Sequence, residues 1–192
     1  MRSLTAAVVI CCLLAVACGS RQPAGPVEET VVNEALGLRL SPLPSDFEVA
    51  VNRQADLELA PAGEGVEGRV TFLVGEEETG INLVAAVKRH QQWIEEQPEA
   101  SYEGGQELMT PHGTAFYSRG RFLLGLSPIE ETVVLLKHPT QSRLLTIRYR
   151  YPAAADSSVR VQQLLDIVGA LEGLPAGVEQ AEPATPSDEA SG

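Results

Sequence analysis

Nucleophilic hydrolysis needs an activated serine or cysteine beside a histidine base. The chain has three histidines, His90, His112 and His138, and none sits in a motif that pairs it with a nucleophile. There is no Gly-x-Ser-x-Gly elbow, and Ser127, within Gly-Leu-Ser-Pro, reads as a turn residue. The three cysteines, Cys11, Cys12 and Cys18, all lie near the start, so the body of the chain has no thiol, disulfide or cysteine metal cluster. The histidines are too isolated to share a metal. Glu76-Glu77-Glu78 lacks the spaced ligands of a calcium loop and reads as a solvated loop. With no glycine-rich phosphate loop and no dinucleotide fingerprint, neither a metal nor a cofactor is expected. His112 and His138 adjoin prolines in turns. His90 lies between Val87 and Ile94 on an apolar helical stripe and reads as a histidine at the edge of the core. Trp93, on the same helix, reads as core or groove packing. Acidic side chains are plentiful, but no pair stands out as a glycosidase dyad.

One constellation is less easily set aside. Strand alternation puts Arg119 and Arg121 on one side of their strand, with Tyr117, and Arg148 and Arg150 on one side of theirs. If register brings the two pairs to one face, they form an anion- or carboxylate-binding patch on an acidic protein. The bland alternative is a sheet surface on which each arginine meets a cross-strand glutamate.

The elements that position these residues are read from periodicity. Leu36, Leu38 and Leu40 alternate, as do Phe47, Val49 and Val51; Leu57 and Leu59 follow the same pattern, and Val66 to Val74 is a further strand. The prolines of Ser-Pro-Leu-Pro-Ser-Asp, 41–46, mark a turn. Asn82 is an N-cap for a helix running to about Gln97, stopped by Pro98. Residues 102–109 and 115–124 form a hairpin around Thr110-Pro111-His112-Gly113. Residues 132–137 and 143–151 form a second, around 138–142. A last helix runs from Asp156 or Ser157 to Leu171, with Val161, Leu164, Leu165, Val168 and Leu171 as its apolar stripe.

This order resembles the Mog1/PsbP/DcrB-like superfamily. The residues carrying the resemblance are Leu36-Gly37-Leu38-Arg39-Leu40-Ser41-Pro42-Leu43-Pro44, the central helix, Gly113-Thr114-Ala115-Phe116-Tyr117 and Leu144-Leu145-Thr146-Ile147-Arg148-Tyr149. The resemblance implies an α+β fold, an antiparallel sheet with helices packed on it as an α-β-α sandwich. It also implies a role in binding, assembly or chaperoning rather than chemistry.

The ends read differently. Met1-Arg2 precedes an apolar run over 4–17, shorter than the ~20 residues of a membrane span and suited to a signal peptide, 1–17. Ala15-Val16-Ala17-Cys18-Gly19-Ser20 resembles the bacterial lipobox, in which the cysteine receives a diacylglycerol and becomes the new N-terminus. Ala15 stands where that motif usually has leucine, and Ala15-x-Ala17 also suits the ordinary signal peptidase; both readings cut at one bond. The polar, Pro/Gly-rich stretch after Cys18 favours lipidation, as a spacer off a membrane. Residues 18–30 are then lipidated cysteine and tether, 31–174 one domain, and 175–192 an acidic tail too poor in apolar residues to offset its ordering entropy.

The formal net charge of -12 argues against a nucleic-acid partner. The expected protein is a membrane-anchored bacterial lipoprotein, a non-enzymatic module of the cell envelope that binds a protein or peptide or stabilises an assembly. Gly19 and Ser20 after the cysteine place it, by analogy with proteobacterial lipoproteins, on the outer membrane facing the periplasm. The rival is a small hydrolase or sugar-binding enzyme using surface carboxylates, which requires a deep pocket with a carboxylate pair of perturbed pKa. The sequence leaves the oligomeric state open. The anchor is directly testable: the native protein should partition into detergent with acyl mass on its N-terminal peptide, and Cys18→Ala should release it. A soluble wild type with an unmodified Cys18 thiol would sink the lipoprotein reading.

Overall fold

The computed structural model describes residues 29–175. The expected signal peptide, Cys18, most of the expected tether and all but Pro175 of the expected tail lie outside them. Among the described residues no helix is long and apolar enough to cross a membrane.

Ten strands and two helices follow in the order β1 (Val31–Asn33), β2 (Leu38–Leu40), β3 (Phe47–Arg53), β4 (Asp56–Pro61), β5 (Arg69–Glu77), α1 (Leu83–Glu95), β6 (Ser101–Thr110), β7 (Gly113–Leu124), β8 (Ser127–Lys137), β9 (Arg143–Pro152), α2 (Ser157–Ala170) and β10 (Leu171–Gly173). A seven-stranded antiparallel sheet runs β3-β4-β5-β9-β8-β7-β6, and β1-β2-β10 form a separate small sheet. The expected α+β sandwich is what forms: α1 packs on one face of the large sheet, while α2 and the small sheet cover the other.

Each cap follows its sequence signal. Asn82 accepts from the Ala85 amide at the start of α1, and Asp156 accepts from the Ser158 amide at the start of α2. The α2 face of the sheet holds the main core: Phe72, Ile147, Leu145, Val134 and Tyr149 meet Leu164, Ile167 and Val168 of α2 and Leu38 and Leu40 of β2. The α1 face has a smaller apolar cluster, Ala86 with Val133 and Leu135. There α1 approaches β7 so closely that a Cβ on Gly120 would lie 2.7 Å from the Ile94 side chain.

Several expectations shift. Glu76 and Glu77, read as part of a loop, continue β5, which starts at Arg69 and not at Val66. Leu36 belongs to a β1–β2 turn, not a strand, because Gly37 takes φ +68° there. The chain then doubles back, and β1 pairs with β2. Leu171 leaves the helix and opens β10, which pairs with β2. The largest difference is β8, which begins five residues before Thr132. Ser127 pairs with Leu124 across a turn of Gly125 and Leu126, so β7, β8 and β9 form a continuous meander. Two adjacent glutamates and a proline disguise this strand in the sequence.

His112 and His138 do more than fill turns. His112 Nε2 lies 2.8 Å from the Leu171 carbonyl, and His138 Nε2 donates to the Leu36 carbonyl at 2.9 Å while its Nδ1 accepts from the Thr140 amide. Both fasten the small sheet to the β6–β7 and β8–β9 turns. Desolvation lowers the His138 pKa; the bond to Leu36 opposes this, and the charges of Arg143 and His112 add to it.

Leu164 is fully buried between α2 and the sheet, so Leu164→Ala should cost about 2–5 kcal/mol in urea denaturation. A loss below ~0.5 kcal/mol would mean the α2 stripe carries no core. The fragment 31–174 should unfold cooperatively with nearly the stability of the mature chain; a large drop in Tm would show that an end is docked into the core.

Candidate functional site

Strand β8 reads Ile-Glu-Glu-Thr-Val-Val over 129–134. Neighbouring residues of a strand point to opposite faces, so one glutamate enters each side of the sheet. Both are buried: Glu130 is 2% exposed and Glu131 0%. A buried carboxylate survives only when charge and hydrogen bonds replace its water, and the flanking strands supply both.

On the α2 face Glu130 stands opposite Arg121 of β7 and Tyr151 of β9. It accepts from Arg121 at 3.0 Å and from the Tyr151 hydroxyl at 3.0 Å, and Arg119 lies 3.4 Å away. Arg119 also pairs with Glu103 of β6. On the α1 face Glu131 stands opposite Arg150 and Gly120. It accepts from Arg150 Nε at 2.5 Å and from His90 Nε2 at 2.9 Å, and Arg148 Nε lies 3.3 Å away. His90 Nδ1 meets the Ser118 hydroxyl at 2.8 Å. Desolvation pushes the Glu131 pKa up, but the His90 hydrogen bond, the Arg148 charge and the Arg150 contacts outweigh it and hold the carboxyl below the usual range.

The four arginines therefore do not form one patch. Arg119 and Arg121 lie on the α2 face, Arg148 and Arg150 on the α1 face, and each pair is drawn to its own buried glutamate. Cross-strand pairing is what the register delivers, with the glutamates buried and the arginines reaching out toward solvent. His90 sits at the core edge as expected, but as a member of this ionic cluster. Glu130, Glu131 and Ser118 were missed as partners. The available signal was the Glu-Glu pair within an otherwise apolar run ending in Val-Val-Leu-Leu.

The α1 face also contains the most open chemistry. Trp93 stacks on His90 at 6.3 Å and meets Phe122 edge-on at 5.4 Å. The guanidinium carbons of Arg148 and Arg150 lie 5.7 and 5.3 Å from its ring centre. Beside this stack a cleft of about 220 Å³ runs between α1 and β9. Its floor is Val133, Leu135 and Leu144, its helix wall Ala86, Arg89 and Trp93, and its sheet wall Thr146 and Arg148. Arg148 Nε is buried and makes no aligned hydrogen bond despite its nearness to Glu131. Desolvation pulls the Arg148 pKa down against the attraction of Glu131. Among the described residues Arg89 has no carboxylate within ion-pairing distance.

A second cleft, near the start of α2, contains Asp46, Asp156, Arg160 and Gln163. Its polar groups are satisfied among themselves: Asp156 caps the helix, Gln163 donates to Asp46, and Arg160 donates to Gln163 and to the Tyr149 hydroxyl. No group of three or more histidine, cysteine or carboxylate side chains among the described residues converges on a metal position.

The fold is similar to that of solved proteins. The Ran-binding protein Mog1p of Saccharomyces cerevisiae superposes with a TM-score of 0.53 at 11% identity, over 77% of this chain and 95% of that one. PsbP of the cyanobacterium Synechocystis aligns with a TM-score of 0.48 at 9% identity, over 76% and 91%. LpqN, involved in cell envelope biogenesis of Mycobacterium tuberculosis, aligns at 0.47 and 12%, over 72% and 83%. No family model matches the sequence, and no curated protein matches it. At 11% identity the likeness to Mog1p speaks for the fold alone.

Two measurements test the ionic cluster. Glu131→Ala leaves two guanidiniums facing each other, and removing one partner of a buried ion pair costs about 3–5 kcal/mol. A loss under ~1 kcal/mol would show that the cluster bears no weight. Both Glu131 and His138 have folded pKa values below their unfolded ones, so each contributes stability that is present at neutral pH and is lost on acidification. Urea midpoints should begin to fall below about pH 6.5 through His138 and fall further below about pH 4.3 through Glu131. A flat profile from pH 7 to 3 would contradict both assignments.

Proposed function

We propose that this chain is a lipoprotein tethered to the bacterial cell envelope through Cys18, and that its domain binds an envelope protein or peptide without catalysis. The cleft beside α1 carries the reading. It combines an apolar floor, a half-exposed Trp93 and two guanidinium groups with hydrogen-bonding capacity to spare. Such a site suits a segment that offers an apolar side chain and a carboxylate together. Mog1p, of similar fold, is a Ran-binding protein, which fits a binding role for this architecture. The lipobox and its tether supply the anchor, with the outer membrane and its periplasmic face as the assigned location.

The hydrolase alternative lacks support where it would need it. Acid–base catalysis by two carboxylates requires both at one cavity with separated pKa values. Glu130 and Glu131 point to opposite faces, and each is committed to arginines; Asp46 and Asp156 share the cleft at the start of α2 but are taken up by Gln163 and by the helix cap.

The test is differential capture. Acylated wild-type protein and an Arg89→Glu variant are cross-linked in their own envelope at matched expression. Arg89 is exposed, so the change should shift stability by no more than ~0.5 kcal/mol. A species bound by wild type, lost in the variant and weakened by added salt supports the cleft; identical profiles would overturn it.

A further inference from the structure

We infer that the acidic C-terminal segment of this chain, residues 176–192, occupies the cleft beside α1 in the free protein and must be displaced by any partner. This rests on the reading of that cleft as a binding site, and it fixes the chemistry of the ligand: an acidic, extended, proline-containing peptide.

The inference starts from where the described chain ends. Leu174 donates its amide to the Gly37 carbonyl, and its own carbonyl accepts from the Thr140 hydroxyl at 2.6 Å. Gly173 packs on Pro139 and Thr140. The chain therefore leaves the fold against the β8–β9 turn, at the tip of the two strands that floor the cleft. Leu144, two residues past that turn, already lines the cleft, and Lys137 stands opposite it on the same face.

Charge selects the direction. The segment carries Glu179, Glu182, Asp188 and Glu189 and no basic residue. Without the segment's own four carboxylates the chain still carries a net charge of -8, so most of its surface repels such a segment. Glu77 stands opposite Arg143 beside that turn, so the β5 side of β9 is acidic and disfavours that route. Along the α1 side the cations Lys137 and Arg89 have no carboxylate in ion-pairing distance among the described residues, and Arg148 shares Glu131 with Arg150. Reach is sufficient. Arg148 lies six strand residues beyond Ser142, about 20 Å. Glu182 lies seven residues beyond Pro175, about 24 Å when extended.

The interaction does not require the segment to fold. A short tether gives an effective concentration of the order of millimolar, so even a millimolar intrinsic affinity leaves the cleft about half filled. That is enough to compete with a weak partner and little enough to leave domain stability unchanged.

Trp93, the single tryptophan of the chain, reports on the cleft from within. The full chain is compared with the same chain carrying Glu179→Gln, Glu182→Gln, Asp188→Asn and Glu189→Gln. Acrylamide, being neutral, quenches Trp93 at low salt. The neutralised chain should be quenched about twofold more strongly, as half occupancy requires, and Arg89→Glu should produce the same increase in the wild type. High salt should raise the wild type to the level of the neutralised chain and leave the latter unchanged. A synthetic peptide of residues 176–192 at millimolar concentration should restore protection to the neutralised chain. Equal quenching of the two chains at low salt overturns the inference. If envelope capture nevertheless depends on Arg89, the cleft remains a binding site and only its self-occupation falls. If capture is also indifferent to Arg89, both fall.

Discussion

Two carboxylates buried back to back in the middle of a sheet set the terms for the rest of this fold. Glu130 and Glu131 occupy successive positions of β8 and enter opposite layers. Neither tolerates burial without arginines, and each takes its pair from one flanking strand. Arg121 and Arg119 come from β7, and Arg150 and Arg148 from β9. A one-residue slip of either neighbour would carry its arginines to the wrong face and strand a charge. The pair thus penalises misregister on both sides of β8 at once. Apolar contacts alone would do this less sharply, because they are tolerant of which hydrophobe meets which.

The same pair explains why the two layers differ. On the α2 side the guanidiniums lie toward one end of the sheet, and the remainder is a continuous apolar core with α2 and the small sheet sealed over it. On the α1 side the ionic cluster reaches under the helix through His90 and Ser118. The apolar cluster there is small, and α1 sits toward the β6–β7–β8 half, tight against Gly120. What remains beside the helix is a cleft with an aliphatic floor and a cationic, aromatic wall. A cleft of this character follows from the way the sheet solves its own charge problem.

The small sheet is the other dependent part. Strands of three residues have little stability alone. β1, β2 and β10 persist because Leu38 and Leu40 are fully buried in the main core, and because His112 and His138 hold their carbonyls to the turns of the large sheet. Since β10 ends against the β8–β9 turn, this fastening also decides where the C-terminal segment leaves the domain.

The sequence by itself determined the elements whose periodicity is local. The α1 and α2 caps at Asn82 and Asp156, the β6–β7 and β8–β9 hairpins, the Pro42–Pro44 turn and the α+β class are all legible, because capping, turn chemistry and alternation act over a few residues. The start of β8 was not legible, since Pro128 and two glutamates have the composition of a loop and become strand only when arginines distant in the chain neutralise them. The faces of Arg119, Arg121, Arg148 and Arg150 were equally out of reach. Alternation fixes each pair within its own strand, but only the pairing of Arg121 with Glu130 and of Glu131 with Arg150 places the two pairs on opposite sides. The cleft belongs wholly to tertiary structure: Arg89, Trp93, Leu135 and Arg148 meet only because helix and sheet pack at one particular offset.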